Sequence, residues 1–211
     1  MDRHSAARMS TLIAGALLAT AAPAAGWQLW ATGLPGGLHP RLAVGPDHTI
    51  YYGLQATGGT RGVIYQASNA LAASGSFTAM APIPYLTITN NIQALTTNAN
   101  SEPVVGIFHY YNPSDPTGTA QHLNDPIAFV YDRVSGQWQS ASLTIPANLG
   151  VFAMARAPNG DLWVTWQDAR YTLLTLDNIL VSRSRDGGQT WSTPSVVNRV
   201  PTTAAFTPGI A

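Results

Sequence analysis

Beyond residue 27 the chain consists of short runs rich in β-branched and aromatic residues, separated by turns of Gly, Pro, Asn and Asp. No long stretch has the 3.6-residue period of an amphipathic helix. Three segments repeat one order of elements: strand, tight turn, strand, variable loop, strand, second turn, and a fourth strand that opens with an aromatic residue. These aromatic residues are Phe77, Trp138 and Trp191. The pattern predicts an all-β protein with four antiparallel strands in each repeat.

The first turn of each repeat carries Asp or Asn at the same place, namely Asp47, Asn100 and Asn159. These residues suit the position because their side chains bond the backbone two residues on and tolerate unusual backbone angles. Repeats of four antiparallel strands and about this length are typical of β-propeller blades. The sequence therefore predicts three propeller blades.

Three blades cannot close a propeller ring by themselves. The predicted segments are a closing strand and linker at 27–40, blades at 41–82, 90–146 and 151–198, and the start of a further blade at 199–211. One interpretation is that the chain is the N-terminal portion of a longer propeller. The other is that copies of the chain associate, because open blade edges and exposed aromatic faces invite pairing.

Residues 1–26 have the pattern of a secretory signal peptide. Arg3 and Arg8 precede the apolar run "TLIAGALLATAAPAAG", and an Ala-rich exit follows. The run is too short and too rich in alanine to favour a membrane span, which needs roughly 20 strongly apolar residues. We expect a secreted or periplasmic protein without a stable membrane span; the alternative is a buried N-terminal helix.

Charge and composition narrow the classes of partner and cofactor. Only 9% of residues are charged, the formal net charge is zero, and the chain contains no cysteine. A neutral chain offers no basic surface for nucleic acid. A chain without cysteine forms no disulfides, even when it is exported. No cofactor is predicted, because no P-loop or dinucleotide fingerprint is present, and no metal is predicted, because the histidines lack metal-ligand spacing.

One stretch in the third repeat carries a complete motif. Ser184, Asp186, Gly188, Thr190 and Trp191 occupy every defined position of the Asp-box, S-x-D-x-G-x-T-W. Because of this motif, the chain resembles the sialidases and the wider bacterial-neuraminidase-repeat (BNR) group, which also includes other glycosidases and binding proteins. The resemblance implies a sialidase-like β-propeller, present here as an incomplete ring, and a glycan or glycoconjugate as partner.

The residue types of the Asp-box favour a structural role over a catalytic one. The glycines permit positive φ angles, and Asp186 can accept hydrogen bonds from the backbone of the turn. Trp191 is expected to bury a large apolar surface between sheets. A calcium loop is excluded, because the run supplies one carboxylate where such loops use several oxygen ligands.

Strand direction predicts where ligands bind. Because strands of a blade alternate in direction, the turns between strands one and two and between strands three and four lie on one side, here called the turn face. The loops between strands two and three lie on the opposite side, the loop face. These loops are long and irregular, at 55–61, 111–126 and 167–177. We therefore expect ligands on the loop face.

Four residues are candidate ligand-binding residues: Arg41, Trp166, Asp168 and Arg170. The resemblance implies an arginine cluster that grips a sugar carboxylate, although the "HPRLAV" segment around Arg41 lacks the aromatic residue and the proline of the family pattern. The alternative for Arg41 is a solvated charge at a strand end. For Asp168 and Arg170 the alternative is a local ion pair that caps a strand.

A complete catalytic set is not recognised in the sequence. The resemblance implies a tyrosine nucleophile, a glutamate that activates it, and an aspartate acid/base. The single glutamate, Glu102, is predicted to lie in a turn on the turn face. The catalytic residues are therefore unknown. The function expected from the resemblance is an exo-sialidase-type glycoside hydrolase in a longer form, or a non-catalytic carbohydrate-binding relative. The alternative is an extracytoplasmic, non-enzymatic scaffold for protein–protein interaction.

Overall fold

The computed structural model describes residues 31, 34, 38–55, 62–72, 74–84, 90–109, 127–143, 153–168 and 178–198. The predicted signal peptide, most of the closing strand, the start of a further blade and Arg170 lie outside the described residues. So do most of the three loops predicted to form the loop face.

The described residues form three four-stranded antiparallel sheets. Sheet one contains β1 (Leu38–Val44), β2 (Ile50–Gln55), β3 (Val63–Ala67) and β4 (Thr78–Ala79). Sheet two contains β5 (Asn90–Thr97), β6 (Pro103–His109), β7 (Ala128–Asp132) and β8 (Gln137–Ser140). Sheet three contains β9 (Ala153–Arg156), β10 (Leu162–Asp168), β11 (Asn178–Ser184) and β12 (Ser195–Val196).

Each sheet is a meander, in which consecutive strands are hydrogen-bonded neighbours. The prediction of an all-β chain with four antiparallel strands in each repeat is confirmed for these residues. The described sheets do not close into a ring, so a complete propeller stays a prediction. None of the described residues belongs to a helix with the length and apolarity needed to cross a bilayer.

The predicted starts of the fourth strands agree with the structure in two sheets and are wrong in the third. β4 begins next to Phe77 and β8 begins next to Trp138, but β12 begins at Ser195, four residues after Trp191. Trp191 is still held by the preceding turn, because its indole Nε1 donates a hydrogen bond to Gly188 O at 3.0 Å. The Asp-box therefore delays the start of the β11–β12 ladder.

The first turns of the three sheets have the same backbone geometry. They span residues 45–49, 98–102 and 157–161. In each turn the N–H of the first residue donates to the carbonyl of the fifth, and the N–H of the fourth residue donates to the carbonyl of the first. These N···O distances are 2.8–3.1 Å. The fourth residue has a positive φ in every case: 65° at His48, 62° at Ser101 and 89° at Gly160. The alignment of these three turns is therefore confirmed.

The side chain that caps each turn differs in sheet two. Asp47 Oδ1 accepts from Thr49 N at 3.0 Å, and Asn159 Oδ1 accepts from Asp161 N at 3.2 Å, as predicted for these two turns. In sheet two the cap is Asn98 rather than Asn100. Asn98 Oδ1 accepts from the backbone N–H of both Asn100 and Glu102, each at 3.0 Å. The acceptor lies at the start of the turn, which leaves Asn100 free to face outward.

Sheet two lies in the centre of the main hydrophobic core. Val104, Val105 and Ile107 on β6 are all completely buried. Since neighbouring residues of a strand point to opposite faces, both faces of sheet two are covered. The core includes Tyr51 from sheet one and Trp166 from sheet three. In contrast, β11 alternates buried and partly exposed residues along its length, so sheet three turns only one face to this core.

Polar contacts join sheet one to sheet two at the turn face. The Arg133 guanidinium lies 2.6 Å from Asp47 Oδ2, and Asp47 N donates to Ser101 Oγ at 2.9 Å. Burial alone would raise the pKa of Asp47, but the hydrogen bonds from Arg133 and Thr49 outweigh this effect and hold the pKa far below its usual range. Tyr51 Oη donates to Ser101 O at 2.7 Å, and burial raises the pKa of Tyr51 to about 12, which preserves this donor.

Gly188 permits the close approach of sheets two and three. Its φ is +100°, and a β-carbon there would lie 3.0 Å from Val130 Cγ2 and 3.3 Å from Val104 Cγ1. Only glycine combines this backbone conformation with so little space.

Replacing Gly188 with alanine is expected to lower the free energy of unfolding by about 2–4 kcal/mol, because left-handed backbone strain adds to overpacking. Gly136→Ala is the matched control. Gly136 also has a positive φ, of 69°, but the nearest atom to its β-carbon would be Tyr131 Oη at 3.7 Å. This variant should lose only about 1 kcal/mol. Urea denaturation measures both, and equal losses would contradict the role of close packing.

Candidate functional site

The Asp-box turn forms a closed hydrogen-bond network. Ser184 Oγ donates to Asp186 Oδ1 and accepts from Gly188 N, both at 2.8 Å. Thr190 N donates to Asp186 Oδ1 at 2.9 Å, and Thr190 Oγ1 donates to Asp186 Oδ2. The indole of Trp191 donates to Gly188 O. The residues at the defined motif positions are thus all engaged within the turn.

This network fixes the charge state of Asp186. Burial by itself would raise the pKa of Asp186, but hydrogen bonds from Thr190 and Ser184 lower it below the usual value. The carboxylate is therefore ionised at neutral pH, and both its oxygens accept hydrogen bonds from the turn. A group in this state is a poor general acid. Trp191 packs against the main core but remains partly exposed, so less of it is buried than the sequence predicted.

Arg41 lies on β1, at the contact between sheets one and two. Its Nε donates to Gln93 O at 2.5 Å, and its Nη1 donates to Pro40 O at 3.3 Å. The side chain is partly buried, and this burial lowers the pKa of Arg41 from its ordinary value. The alternative of a freely solvated charge at a strand end does not describe this side chain, because two backbone carbonyls hold the guanidinium.

The structure places Trp166 and Asp168 in the interior. Both have 0% exposure, and Trp166 Nε1 donates to Asp168 Oδ2 at 3.3 Å. A buried indole presents no face to a sugar ring, and the ion pair of Asp168 with Arg170 stays a prediction. The other indole of β10, Trp163, is partly exposed, with the Arg183 guanidinium 5.5 Å from its ring centroid. Arg170 lies outside the described residues.

A concave polar site is present on the turn face between sheets two and three. This depression has a volume of about 230 Å³, and the turns at 98–102, 157–161 and 184–191 surround it. We refer to it as the turn depression. The polar side chains that line it come from these three turns: Asn98, Asn100, Glu102, Asn159, Asp161, Arg185, Asp186 and Gln189.

The sequence did not single out the turn depression, because its residues come from three separate turns. Glu102 lies in the β5–β6 turn, where it was predicted, and its Oε2 accepts from Asn98 Nδ2 at 2.7 Å. Asn98 Nδ2 also donates to Gly187 O at 3.3 Å, which joins the two sides of the depression. Among the described residues no group of three or more His, Asp or Glu side chains is placed to hold a metal ion.

Comparisons with known proteins do not assign a family. No family model matches the chain, and no curated protein matches it. Among solved structures, the chain is similar to a Dyadobacter fermentans protein of unknown function, with 9% sequence identity and a TM-score of 0.31. That match covers 74% of this chain and 68% of the other.

Replacing Asp186 with asparagine is expected to lower the free energy of unfolding by about 1–2 kcal/mol at pH 7, because the amide cannot accept from all the donors of the turn. The folded pKa of Asp186 lies below the unfolded value of about 3.9. The advantage of the wild type is therefore complete above about pH 5 and decreases as the pH falls through the folded pKa.

Thermal denaturation between pH 7 and pH 2 measures this effect. Ser184→Ala serves as the control, because it removes two hydrogen bonds of the same turn without removing a titratable group. The stability difference between Ser184→Ala and the wild type should change less with pH. A constant difference for Asp186→Asn across the range would contradict the ionised network.

Proposed function

We propose that this chain is an exported, glycan-directed protein built from sialidase-like propeller blades. The observation that carries the proposal is the complete S-x-D-x-G-x-T-W turn, hydrogen-bonded at every defined position and placed between the third and fourth strands of an antiparallel meander. Two further meanders of the same order precede it. Four-stranded antiparallel repeats are the units from which propellers are built.

Arg41 supplies the anchor for an acidic sugar in this proposal. β1 and β5, the first strands of sheets one and two, are in contact, and Arg41 lies between them. Gln93 O and Pro40 O orient the guanidinium. An oriented planar fork loses little conformational freedom when it binds a carboxylate through two parallel hydrogen bonds. N-acetylneuraminic acid carries such a carboxylate.

The proposal for this chain is binding, and no hydrolysis is proposed for the described residues. Sialidase-type hydrolysis needs a tyrosine activated by a glutamate on the ligand side. Glu102 is the only glutamate of the chain, and it is hydrogen-bonded to Asn98 on the turn face. No described residue therefore provides the glutamate of such a pair on the loop face.

A second candidate function is a non-enzymatic scaffold. It is favoured by the complete burial of Trp166 and Asp168, which removes two candidate sugar contacts from the surface. Val196 and Val197, at and next to the outer strand β12, are 46% and 53% exposed. Apolar residues at an exposed sheet edge provide contacts for a partner protein or for a second copy of the chain.

The full chain is expected to bind N-acetylneuraminic acid, and Arg41→Met is expected to weaken this binding about tenfold or more, because a charge-assisted hydrogen bond is lost. Isothermal titration calorimetry measures the affinities. Arg41→Lys keeps the charge without the planar fork and should bind with intermediate affinity. Arg156→Met removes an exposed arginine of β9 and is the matched control.

Thermal denaturation of each variant separates loss of folding from loss of binding. If the wild type shows no heat of binding, or if a folded Arg41→Met variant binds as tightly as the wild type, the scaffold function replaces the glycan-directed one. Release of a fluorescent aglycone from a sialoside by the full chain would contradict a function limited to binding.

A further inference from the structure

The turn depression is a preformed site. Backbone hydrogen bonds close the turns at 98–102 and 157–161, and the Asp-box network closes the turn at 184–191. The bond from Asn98 Nδ2 to Gly187 O joins two of these turns across the base of the site. Rigid walls of this kind lower the entropic cost of binding, since little of the protein must be ordered when a ligand enters.

Asp161 provides a carboxylate acceptor that the protein uses only in part. The residue is 9% exposed and lines the depression. Its Oδ2 accepts from Asn159 Nδ2 at 2.7 Å and from Arg183 Nη2, whereas its Oδ1 accepts no hydrogen bond from a described residue. This oxygen is accessible in the depression, so a ligand hydroxyl would donate to it.

Further uncommitted groups surround Asp161. Glu102 uses Oε2 for Asn98, and its Oε1 accepts nothing from a described residue. The exposed side chains of Asn100, Arg185 and Gln189 make no hydrogen bond with the described residues that line the site. The depression therefore presents carboxylate acceptors together with guanidinium and amide donors. Arg185 and Gln189 stand at undefined positions of the Asp-box motif, so they are free of its structural network.

The mixture of charges selects the class of ligand. Three carboxylates and Arg185 line the depression, but Asp186 is committed to the Asp-box turn and Asp161 is paired with Arg183. A cation attracted by these carboxylates meets the positive charge of Arg185, and an anion attracted by Arg185 meets the carboxylates. A hydroxyl group donates to a carboxylate and accepts from a guanidinium or amide at the same time. The volume of about 230 Å³ lies just below the roughly 300–1,000 Å³ of pockets for drug-sized ligands, which suits a single sugar residue.

We propose that the turn depression binds a neutral saccharide through its hydroxyl groups, with Asp161 and Glu102 as acceptors and Arg185 and Asn100 as donors. This site is separate from Arg41, which does not line it. It does not depend on the acidic-sugar function proposed above. The two sites together would give the chain two points of attachment to glycans.

Heteronuclear NMR on the full chain tests the proposal, with D-galactose and N-acetyl-D-glucosamine as separate probes at millimolar concentration. At least one sugar should shift the backbone amides of Asn100, Gly160 and Arg185. The double variant Asn100→Ala, Arg185→Gln should bind about tenfold more weakly, because two side-chain hydrogen bonds are lost. Both residues are exposed, so the melting temperature should not change. Arg156→Gln, which removes an arginine outside the depression, should bind as the wild type does.

Three results would overturn the proposal: neither sugar shifts these amides, the shifts persist at the same affinity in the folded double variant, or L-lysine shifts them and the sugars do not. The amide shifts also separate this site from the one at Arg41. A sugar that shifts the turn-depression amides equally in wild type and Arg41→Met supports the turn depression even when N-acetylneuraminic acid fails to bind.

Discussion

The burial of sheet two on both faces is the constraint on which the rest of the structure depends. Val104 and Val105 are adjacent on β6 and both fully buried, so neither face of that sheet can meet solvent. Sheets one and three must therefore lie against it. Close approach of sheets two and three then requires glycine at the contact, because a β-carbon at Gly188 would lie 3.0 Å from Val130 Cγ2. The glycine of the Asp-box is thus needed for packing between sheets as well as for the turn.

The same packing brings turns of neighbouring sheets together, and polar side chains then join them. Asp47 pairs with Arg133 across sheets one and two, and Asn98 reaches Gly187 across sheets two and three. Asp47 and Asn98 also cap their own turns. Folding of these turns and packing of the sheets are therefore coupled. The turn face is consequently held by hydrogen bonds within and between turns, and the geometry of any group left over there is well fixed.

Features set by neighbouring residues could be predicted from the sequence, whereas features that depend on how the sheets pack could not. The strand order and the first turns follow from alternation and from Asp47, Asn100 and Asn159, which are short-range features. β10 carries two indoles, Trp163 and Trp166, and the sequence does not show which one faces the core, because that depends on packing against sheet two. Once Trp166 is known to be buried, Asp168 follows it to the same face by the period of two. The turn depression could not be found in this way, since three distant turns must first be brought together.

Within the Asp-box turn, the residues at the defined positions hold the turn, and the residues at the undefined positions line the turn depression. Its defined residues Ser184, Asp186 and Thr190 bond one another and the backbone. The undefined positions between them are occupied by Arg185, Gly187 and Gln189, and all three line the turn depression. A substitution at Arg185 or Gln189 changes the depression without removing a hydrogen bond of the turn, whereas a substitution at Asp186 removes several. Such a turn can therefore change the groups that line the depression while the fold is maintained.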